Sequence, residues 1–475
     1  MAWAVVRIDG WGLRLYNGPS RMSRQTRTEQ LQAEDRHALW HPFTQQRDWV
    51  KTAPLIIERG RGSYLYDSDG RRYLDGTSSI WVNLHGHRKG ALDRALTAQL
   101  KRIAHSTLLG LSNVPAIELA TRLVGLAPRG LTRVFYSDNG STAVEVALKM
   151  AFQYWQLQGV PHQSKTNFLH LGQAYHGDTL GAVGVGGIPI FHERFKPLLR
   201  PSFEAPAPYC YRCPMGLTFP SCRLACADTV EDLLKQHHGE IAALIVEPML
   251  LAAGGMITMP PGYLTRLRTL CTRYRVLMIA DEVATGFGRT GRMFACEHEG
   301  IKPDLMAISK GLTGGYLPLA ATLTTEKIYR AFLGRYDEFK TFFHGHSYTG
   351  NPLGCAVALA NLDVFEQEHT LDRLQPKIAA LRTMLVPLWT HPHVGDIRQI
   401  GVIVGIELVR NRATKAPYQL TERIGMKVAD EARRLGLLIR PLGNIIVLMP
   451  PLSTTTKELR QMVAIVTQAI RTVTD

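Results

Sequence analysis

The stretch that decides the fold runs from Val276 to Gly311 and reads VLMIADEVATGFGRTGRMFACEHEGIKPDLMAISKG. It contains two short apolar runs, and each of them ends in a charged residue: Asp281 after the first and Lys310 after the second. Short apolar runs without alternation are typical of strands that are buried on both faces, as in a parallel sheet. Because ligands of open α/β sheets bind beyond the carboxyl ends of the strands, the pattern predicts that Asp281 and Lys310 face one crevice.

The middle of the chain alternates more runs of this kind with helical patterns. The apolar runs TRVFYSD, NFLHLGQAYHGD and IAALIVEP precede the two described above. Patterns with helical periodicity, such as STAVEVALKMAFQYWQ and PGYLTRLRTLCTRY, lie between the runs. This alternation predicts an α/β fold, with a mostly parallel sheet that is covered by helices on both faces.

With 475 residues the chain is long enough for two or three domains. We assign residues 91–360 to a large domain built on the parallel sheet. Residues 361–475 read as short strands flanked by helices, which predicts a smaller α+β domain. Residues 36–90 contain the Asp-Gly signal of a hairpin and are expected to join that small domain. Residues 1–35 are expected to form a disordered or mis-started extension.

Composition narrows the classes of function. The chain is 45% hydrophobic and carries a net charge of +15, which would attract anionic ligands or nucleic acid. Its Lys and Arg residues are scattered, without a dense basic run that interleaves with aromatic residues, so we expect no nucleic-acid binding and favour attraction of phosphorylated or carboxylated small molecules. No uncharged apolar run is long enough to span a membrane, and the start lacks the apolar core of a signal peptide. We therefore expect a cytoplasmic protein.

Four of the seven cysteines cluster in one segment: Cys210, Cys213, Cys222 and Cys226. The first pair has the C-x2-C spacing of a zinc thiolate site, whereas the second pair is C-x3-C and follows closely. Two interpretations stay open, a structural metal and a loop of reduced cysteines. We favour the loop and expect no metal.

The segment SDNGSTAVEVALKM places Gly140 and Ser141 at the start of a strongly helical pattern. A glycine that lets backbone N–H groups approach, a hydroxyl and the positive end of a helix together form a cradle for an anion. Thr142 and Glu145 have the spacing of a capping box. The alternative is an ordinary turn between a strand and a helix.

Lys310 and Asp281 suggest a specific chemistry. Burial lowers the pKa of an ammonium group and so favours a neutral amine that attacks carbonyl carbons. A carboxylate such as Asp281 would keep a pyridine nitrogen protonated, and a lysine with such an acid is the pair that pyridoxal phosphate requires. Tyr175 follows a predicted strand and would lie against the ring. The alternatives are strand-end charges in solvent and a Tyr that only packs.

These residues carry a resemblance. The segment from Leu277 to Ala321 resembles the pyridoxal-phosphate signature of class III (ω-type) aminotransferases of fold type I, and the resemblance extends from about Trp40 to the C-terminus. Narrower motifs, among them WHPFTQ, SSIWVNLHGH, YHGDT, HGHSYTGNP and IRPLGNIIVLMPP, resemble the branch of this family that converts 8-amino-7-oxononanoate to 7,8-diaminononanoate in biotin biosynthesis. The alternative is a class III enzyme that acts on another ω-amino acid or on ornithine.

The resemblance implies pyridoxal 5'-phosphate as cofactor and a role for each matching residue. Lys310 would link to the cofactor covalently and act as general acid and base, and Asp281 would pair with the pyridine nitrogen. Gly140 and Ser141 would hold the phosphate, and Tyr175 would stack on the ring.

The resemblance also implies residues for the substrate and for a partner subunit. Ser347 would reach the phosphate from the neighbouring subunit, which implies a homodimer with shared active sites. Trp81 would form a wall of the substrate tunnel, Arg440 would bind the carboxylate of the keto acid, and Arg289 and Gly345 would lie near the substrate. The two arginines have an ordinary alternative, because half-exposed arginines usually pair with surface acids.

Three positions depart from the pattern of family members that use S-adenosylmethionine as amino donor. Phe43 stands where those members commonly have Tyr, and Ile80-Trp81 stands where they have a Trp-Trp pair. The Tyr that those members have near the position of Val447 is missing from this chain. These positions belong to the donor pocket in the family. The donor therefore stays open between S-adenosylmethionine, the family default, and lysine, a close second.

Overall fold

In this computed structural model, residues 26–475 are described, and helices alternate with strands along them. The strands are β1 (Ile57–Arg61), β2 (Tyr64–Asp67), β3 (Arg72–Asp75), β4 (Leu131–Ser137), β5 (Asn167–Leu171), β6 (Phe203–Ala205), β7 (Ile241–Val246), β8 (Leu250–Leu251), β9 (Ile257–Thr258), β10 (Leu277–Asp281), β11 (Leu305–Ile308), β12 (Ala320–Thr325), β13 (Val394–Ile400), β14 (Ile403–Asn411), β15 (Ala416–Pro417), β16 (Leu437–Leu438) and β17 (Ile445–Leu448). The helices are α1 (Arg27–Ala38), α2 (Gln46–Trp49), α3 (Ser78–Trp81), α4 (Gly90–Leu100), α5 (Val114–Leu126), α6 (Gly140–Leu157), α7 (Leu180–Val183), α8 (Pro189–His192), α9 (Ala225–His237), α10 (Tyr263–Arg273), α11 (Glu326–Ala331), α12 (Pro352–Gln367), α13 (Thr370–Leu385), α14 (Ile424–Arg434) and α15 (Thr456–Thr474). None of these helices has both the length and the apolar character that crossing a membrane requires.

The predicted parallel sheet is present. Its seven strands lie in the order β4-β12-β11-β10-β7-β5-β6. The pairs from β11 to β6 are parallel, whereas β12 runs antiparallel to both of its neighbours, a feature that the sequence did not predict. The α/β class with a mostly parallel sheet is thereby confirmed, and the strand order places β10 and β11, which carry Asp281 and Lys310 at their ends, side by side.

Both faces of the sheet are covered, which explains why its strands lack alternation. Every residue of β7 and β10 is buried. Leu277 and Ile279 of β10 belong to a core cluster that includes the inner face of α6, whereas Met278 and Ala280 belong to a second cluster that includes α10 and α12. A strand between two apolar layers needs apolar side chains on both sides.

A second core lies in the C-terminal part of the chain. Strands β13, β14 and β17 form an antiparallel sheet whose buried side chains pack with those of α14 and α15. The predicted boundary after residue 360 falls inside α12, and Leu362 and Phe365 of this helix pack in the same core as β10. The division of the chain into a large domain and a small domain, with its boundaries, stays a prediction.

The chain divides into two compact units, one up to Arg59 together with Tyr66–Arg71, and one of Gly60–Leu65 together with Arg72–Asp475. In the first unit, Thr26 and Glu29 form a capping box at the start of α1. The expected disordered extension therefore does not hold for residues 27–35, which are helical, and residues 1–25 lie outside the described residues.

The predicted Asp-Gly turn is present at Gly70, between β2 and β3. Asp67 Oδ1 accepts from the backbone N–H groups of Asp69, at 3.1 Å, and Arg71, at 2.8 Å. Gly70 supplies the positive φ of 80° that this turn requires.

Candidate active site

A cavity of about 730 Å³ opens at the carboxyl ends of the central strands. Asp281 is the last residue of β10, and Lys310 follows β11 by two residues, so the sheet delivers both side chains to the same edge. Six of the residues predicted for the site line this cavity: Trp81, Gly140, Ser141, Tyr175, Asp281 and Lys310. The structure thus brings together residues that are far apart in the sequence.

Lys310 occupies a left-handed backbone conformation, with φ at 36°, immediately after the strand. Its Nζ lies 4.9 Å from the centre of the Trp81 ring. Burial lowers the pKa of the Lys310 ammonium, and the carboxylates of Asp281 and Glu247 oppose this effect. The amine therefore loses its proton more readily than an exposed lysine does, which is the property that a nucleophile or general base needs.

Asp281 is held in place by His176, a residue to which the sequence alone assigned no role. His176 Nδ1 donates to Asp281 Oδ2 over 2.7 Å, and both side chains are buried. The other carboxylate oxygen of Asp281 accepts from the backbone N–H of Val283 at 3.1 Å. His176 Nε2 is buried and has no partner within the described part of the chain. A carboxylate fixed in this way presents its negative charge to the cavity in one orientation.

The cap of α6 differs from the prediction. Asn139 is the N-cap residue, and its Oδ1 accepts from the backbone N–H of Thr142 at 3.1 Å, while Thr142 Oγ1 accepts from the Asn139 N–H. The predicted capping box of Thr142 with Glu145 is therefore wrong, because helix α6 begins one turn earlier than that pairing requires. Glu145 instead accepts from the backbone N–H of Gly181 at 2.7 Å.

The start of α6 approaches other backbone segments closely. A Cβ on Gly140 would lie 2.6 Å from Val283 Cγ1, and a Cβ on Gly177 would lie 2.0 Å from Ser141 Oγ. The Ser141 hydroxyl accepts from the backbone N–H of Asp178 at 3.0 Å. Small residues thus leave the positive end of an 18-residue helix open to the cavity, which is the arrangement that binds a phosphate group.

Tyr175 and Glu247 form a polar wall of the cavity. The Tyr175 backbone N–H donates to Glu247 Oε1 at 3.1 Å, and its hydroxyl donates to Asp178 Oδ2 at 2.8 Å. Burial raises the pKa of Tyr175, so that the phenol stays protonated. Burial also raises the pKa of Glu247 to about 7, with His176 opposing this shift. The cavity therefore contains a carboxyl group that changes its charge near neutral pH.

Trp81 ends α3, a single turn whose backbone is left-handed. Four successive residues, Ser78–Trp81, have φ between 49° and 72°, a conformation that costs roughly 1–2 kcal/mol per residue. Asp75 offsets this strain, since its Oδ1 accepts from the backbone N–H groups of Thr77, at 3.1 Å, and Ser79, at 3.2 Å. Strained backbone of this kind is concentrated at functional sites.

Arg289 is not among the residues that line the cavity. Its side chain is 1% exposed, and its guanidinium donates to the carbonyl oxygens of Pro450 and Asn83, each over 2.8 Å, and to Ser78 Oγ over 3.2 Å. These contacts attach Arg289 to the segment that carries Trp81. Direct contact between Arg289 and a substrate stays a prediction.

Three other predicted residues lie outside the cavity lining: Gly345, Ser347 and Arg440. Gly345 and Ser347 are exposed in a loop, and the Ser347 carbonyl accepts from His105 Nε2 over 2.8 Å. Arg440 is exposed and has no hydrogen-bond or ionic partner among residues 26–475. Their proposed roles require a partner subunit or a substrate.

The four clustered cysteines are free thiols around one small, otherwise apolar cavity. Over the part of the chain that the structure describes, no group of three or more His, Cys, Asp or Glu residues is arranged to hold a metal ion. The choice between a structural metal and a loop of reduced cysteines therefore stays open, and the loop stays a prediction.

The aminotransferase class-III family matches residues 45–470. The chain belongs to this family. This class III aminotransferase is 55% identical over 94% of its length to the adenosylmethionine-8-amino-7-oxononanoate aminotransferase of Geobacter sulfurreducens, of which the match covers 98%. It is 50% identical over 93% of its length to the enzyme of the same name from Aquifex aeolicus, with 97% of that chain covered.

Solved structures agree with this assignment. The crystal structure of adenosylmethionine-8-amino-7-oxononanoate aminotransferase from Methanocaldococcus jannaschii superimposes with a TM-score of 0.89 at 45% identity, covering 94% of this class III aminotransferase and 99% of the other chain. The omega transaminase from Pseudomonas jessenii in complex with PMP gives a TM-score of 0.89 at 33% identity, covering 94% and 98% of the two chains. Fold type I is thereby confirmed.

Members of this family use pyridoxal phosphate, and the cavity suits that cofactor. The helix start at Gly140 and Ser141 lines the cavity, and Gly140 packs so closely on Val283 that no Cβ fits, so the helix terminus meets the cavity with small residues, as a phosphate site requires. Asp281 places a buried carboxylate at this cavity and Lys310 places an amine there, and these are the two groups that a pyridoxal phosphate site requires. The enzyme is a pyridoxal-phosphate-dependent aminotransferase.

Proposed function

We propose that this aminotransferase converts 8-amino-7-oxononanoate to 7,8-diaminononanoate in biotin biosynthesis. The proposal rests on the 55% identity, over nearly the whole chain, to a relative that is named for this substrate. It is supported by a cavity in which Lys310, Asp281 and the aromatic wall of Trp81 meet. S-adenosylmethionine, which the names of the relatives include, is the first candidate for the amino donor.

Lys310 carries the proton transfers in this proposal. When bound, pyridoxal phosphate supplies an electron sink for the carbon that bears the amino group. Burial keeps the Lys310 amine ready to accept a proton. We assign to Nζ the removal of the proton from the donor carbon and the return of a proton later in the cycle, so that one amine acts as both base and acid.

Asp281 and His176 hold the charge that faces the ring nitrogen of the cofactor. The Asp281 carboxylate favours a protonated ring nitrogen by Coulomb attraction, which is strong in a buried site. The hydrogen bond from His176 fixes the carboxylate, so that no reorganisation is needed during the reaction.

Gly140 and Ser141 are assigned to the phosphate group, and Tyr175 to the face of the ring. The Tyr175 hydroxyl donates to Asp178 and the Tyr175 backbone N–H donates to Glu247, so that both the side chain and the backbone of this residue are held in place. In this proposal these contacts orient the cofactor relative to Lys310 and so hold the reacting atoms at a fixed distance and angle.

The acceptor is a long acid that is mostly apolar, so it requires an apolar wall and a distant cation. Trp81 provides the wall in this proposal, and the unpaired guanidinium of Arg440 provides the cation for the carboxylate. Arg289 acts through its contacts to the segment of Trp81, and Gly345 lies in the loop that we expect beside the substrate.

We assign the exposed apolar residues around the Ser347 loop to the contact surface of a homodimer. Leu109 is 90% exposed and Tyr348 is 62% exposed, whereas large exposed apolar patches are rare on monomers. The neighbouring segment is attached to the loop, since Asn113 donates to the Gly350 carbonyl over 3.0 Å. In such a dimer Ser347 would reach the cofactor phosphate of the partner subunit. A cytoplasmic location is part of the same proposal.

The amino donor is tested by a single-turnover panel. The holoenzyme is mixed separately with S-adenosylmethionine, lysine, ornithine or 4-aminobutyrate, and the visible absorbance of the bound cofactor is followed. We expect S-adenosylmethionine to remove the absorbance fastest. Lysine is the alternative donor, because the chain departs at Phe43, at Ile80 and near Val447 from the pattern of family members that use S-adenosylmethionine. A second step then adds 8-amino-7-oxononanoate, which should restore the absorbance. If ornithine or 4-aminobutyrate reacts and the keto acid restores nothing, the enzyme is another class III aminotransferase.

A further inference from the structure

A second cavity lies at the amino ends of the central strands, whereas the active site lies at their carboxyl ends. It has a volume of about 760 Å³, and it is lined by Leu277, the first residue of β10, and by Asp304, the residue before β11. Helices α6 and α10 end at this cavity, since Gln158 and Thr272 also line it. No step of the proposed amino transfer uses this cavity.

The cavity has an excess of positive charge. Its lining contains four basic side chains besides a histidine: Arg268, Arg275, Lys302 and Lys327. Asp304 is the acidic residue of the lining, and it already accepts from Arg268 Nη1 at 2.7 Å and from the backbone N–H of Met278 at 2.8 Å. The other three basic side chains are exposed and have no acidic partner among the described residues.

Basic residues at the ends of helices have an ordinary explanation, the neutralisation of the helix dipoles. The C-terminus of a helix is equivalent to about −0.5 charge, so α6 and α10 together contribute about −1. The three unpaired basic side chains carry more positive charge than the two helix ends neutralise, and the excess is about +2. The excess is what an anion in the cavity would neutralise.

We propose that this cavity binds a small molecule with a diphosphate or triphosphate group. Lys and Arg are the usual partners of phosphate oxygens, and a multiply charged anion matches the excess better than a single carboxylate does. The volume lies within the range of small-molecule sites. Arg268 is held by Asp304 as a fixed part of the wall, whereas Lys302 and Lys327 are exposed chains that close on the phosphates.

The test measures binding of pyrophosphate and of ATP to the holoenzyme by calorimetry, with pyridoxal phosphate saturating so that the active-site cradle is filled. The double variant Lys302→Gln/Lys327→Gln should weaken binding of both probes by roughly tenfold or more, because it removes two charged phosphate contacts. The control Lys457→Gln/Arg460→Gln removes the same charge from an exposed face of α15 and should leave binding unchanged. Equal affinity for the two probes indicates inorganic diphosphate as the ligand, and tighter binding of ATP indicates a nucleotide.

Other outcomes overturn the proposal. Absence of binding by both probes at millimolar concentration removes the site. An equal loss of binding in the two double variants means that the net charge of the protein, and not the cavity, attracts anions. Tighter, salt-sensitive binding of a single-stranded oligonucleotide at the same lysines points to a nucleic-acid surface instead.

Discussion

His176 Nδ1 and Asp281 Oδ2 lie 2.7 Å apart, although the two residues are separated by 105 positions in the sequence. The first residue lies in the segment after β5 and the second ends β10, and the two strands are joined through β7. The pair is buried, so the orientation of the carboxylate depends on this hydrogen bond and on the Val283 N–H. We therefore propose His176 as a positioning residue for the carboxylate that would face the cofactor ring.

Substitution of His176 should separate positioning from folding. We expect His176→Ala to lower kcat on the order of a hundredfold, because a small displacement of Asp281 misaligns the site. His176→Asn keeps an N–H donor near the position of Nδ1 and should recover most of the rate. Steady-state kinetics across pH checks both variants. A fully active His176→Ala enzyme would refute the positioning role, as would a failure of the Asn variant to differ from Ala.

Lys310→Ala should abolish turnover. We expect a fall of at least roughly a thousandfold, since the variant lacks both the nucleophile and the general base. The cofactor should still bind, but it should be lost on dialysis because no covalent link forms. Absorbance spectra and initial rates measure this. Lys457→Ala, an exposed lysine on α15, serves as control and should retain wild-type activity. Normal turnover without Lys310 would end the proposed mechanism.

Gly140→Ala should weaken cofactor binding, because the new Cβ would lie 2.6 Å from Val283 Cγ1. Overpacking of this kind costs about 1–3 kcal/mol. Titration of the apoenzyme with pyridoxal phosphate and urea denaturation measure the two effects. Gly125→Ala is a matched control, because Gly125 also lies in a helix and a Cβ at this position would meet nothing within 4 Å. The control should change stability by less than about 1 kcal/mol, in the stabilising direction. Equal cofactor affinity in both variants would contradict the close approach.

Glu247 should make the stability of the apoenzyme depend on pH. Its pKa rises from an ordinary value of 4.5 to about 7 in the folded protein. The folded state therefore keeps a proton that the unfolded state has lost, and the free energy of unfolding should fall as pH rises from 4.5 to 7, by roughly 3 kcal/mol at most from this group.

Glu247→Gln removes this contribution, so its stability should change less across that window than that of the wild type. Urea denaturation between pH 5 and pH 8 compares the two, using roughly 1.4 kcal/mol per unit of pKa shift as the scale. Glu193→Gln, an exposed residue on the surface, should retain the wild-type profile. Parallel profiles for wild type and Glu247→Gln would show that Glu247 ionises normally.

Arg440→Ala should chiefly weaken binding of the keto acid. The loss of one charged contact to a carboxylate should raise KM for the acceptor by roughly ten- to a hundredfold, with little change in kcat. Steady-state kinetics with varied 8-amino-7-oxononanoate measure the two constants. Arg433→Ala, which loses only a surface pair with Asp430, is the control. An unchanged KM for the acceptor would remove Arg440 from the carboxylate site.

Much of the fold was predictable from the sequence, because strands and helices are set by local periodicity. The apolar runs that end in Asp281 and Lys310 became neighbouring central strands, and the pattern from Gly140 became α6. Errors occurred where two local signals competed. At the start of α6, Asn139 and Thr142 both have cap-forming side chains, and the structure selects Asn139 because the helix begins at Gly140.

By itself, the sequence determined the mostly parallel sheet and the position of Asp281 and Lys310 at strand ends, because these follow from the spacing of apolar and polar residues. Only the tertiary structure decided which distant groups meet: His176 with Asp281, Val283 with Gly140, and the Trp81 ring with Lys310. It also placed Arg289 against backbone carbonyls outside the cavity lining. Such contacts depend on how separate elements pack, and packing is fixed by the shape and burial of the whole core instead of by any local pattern.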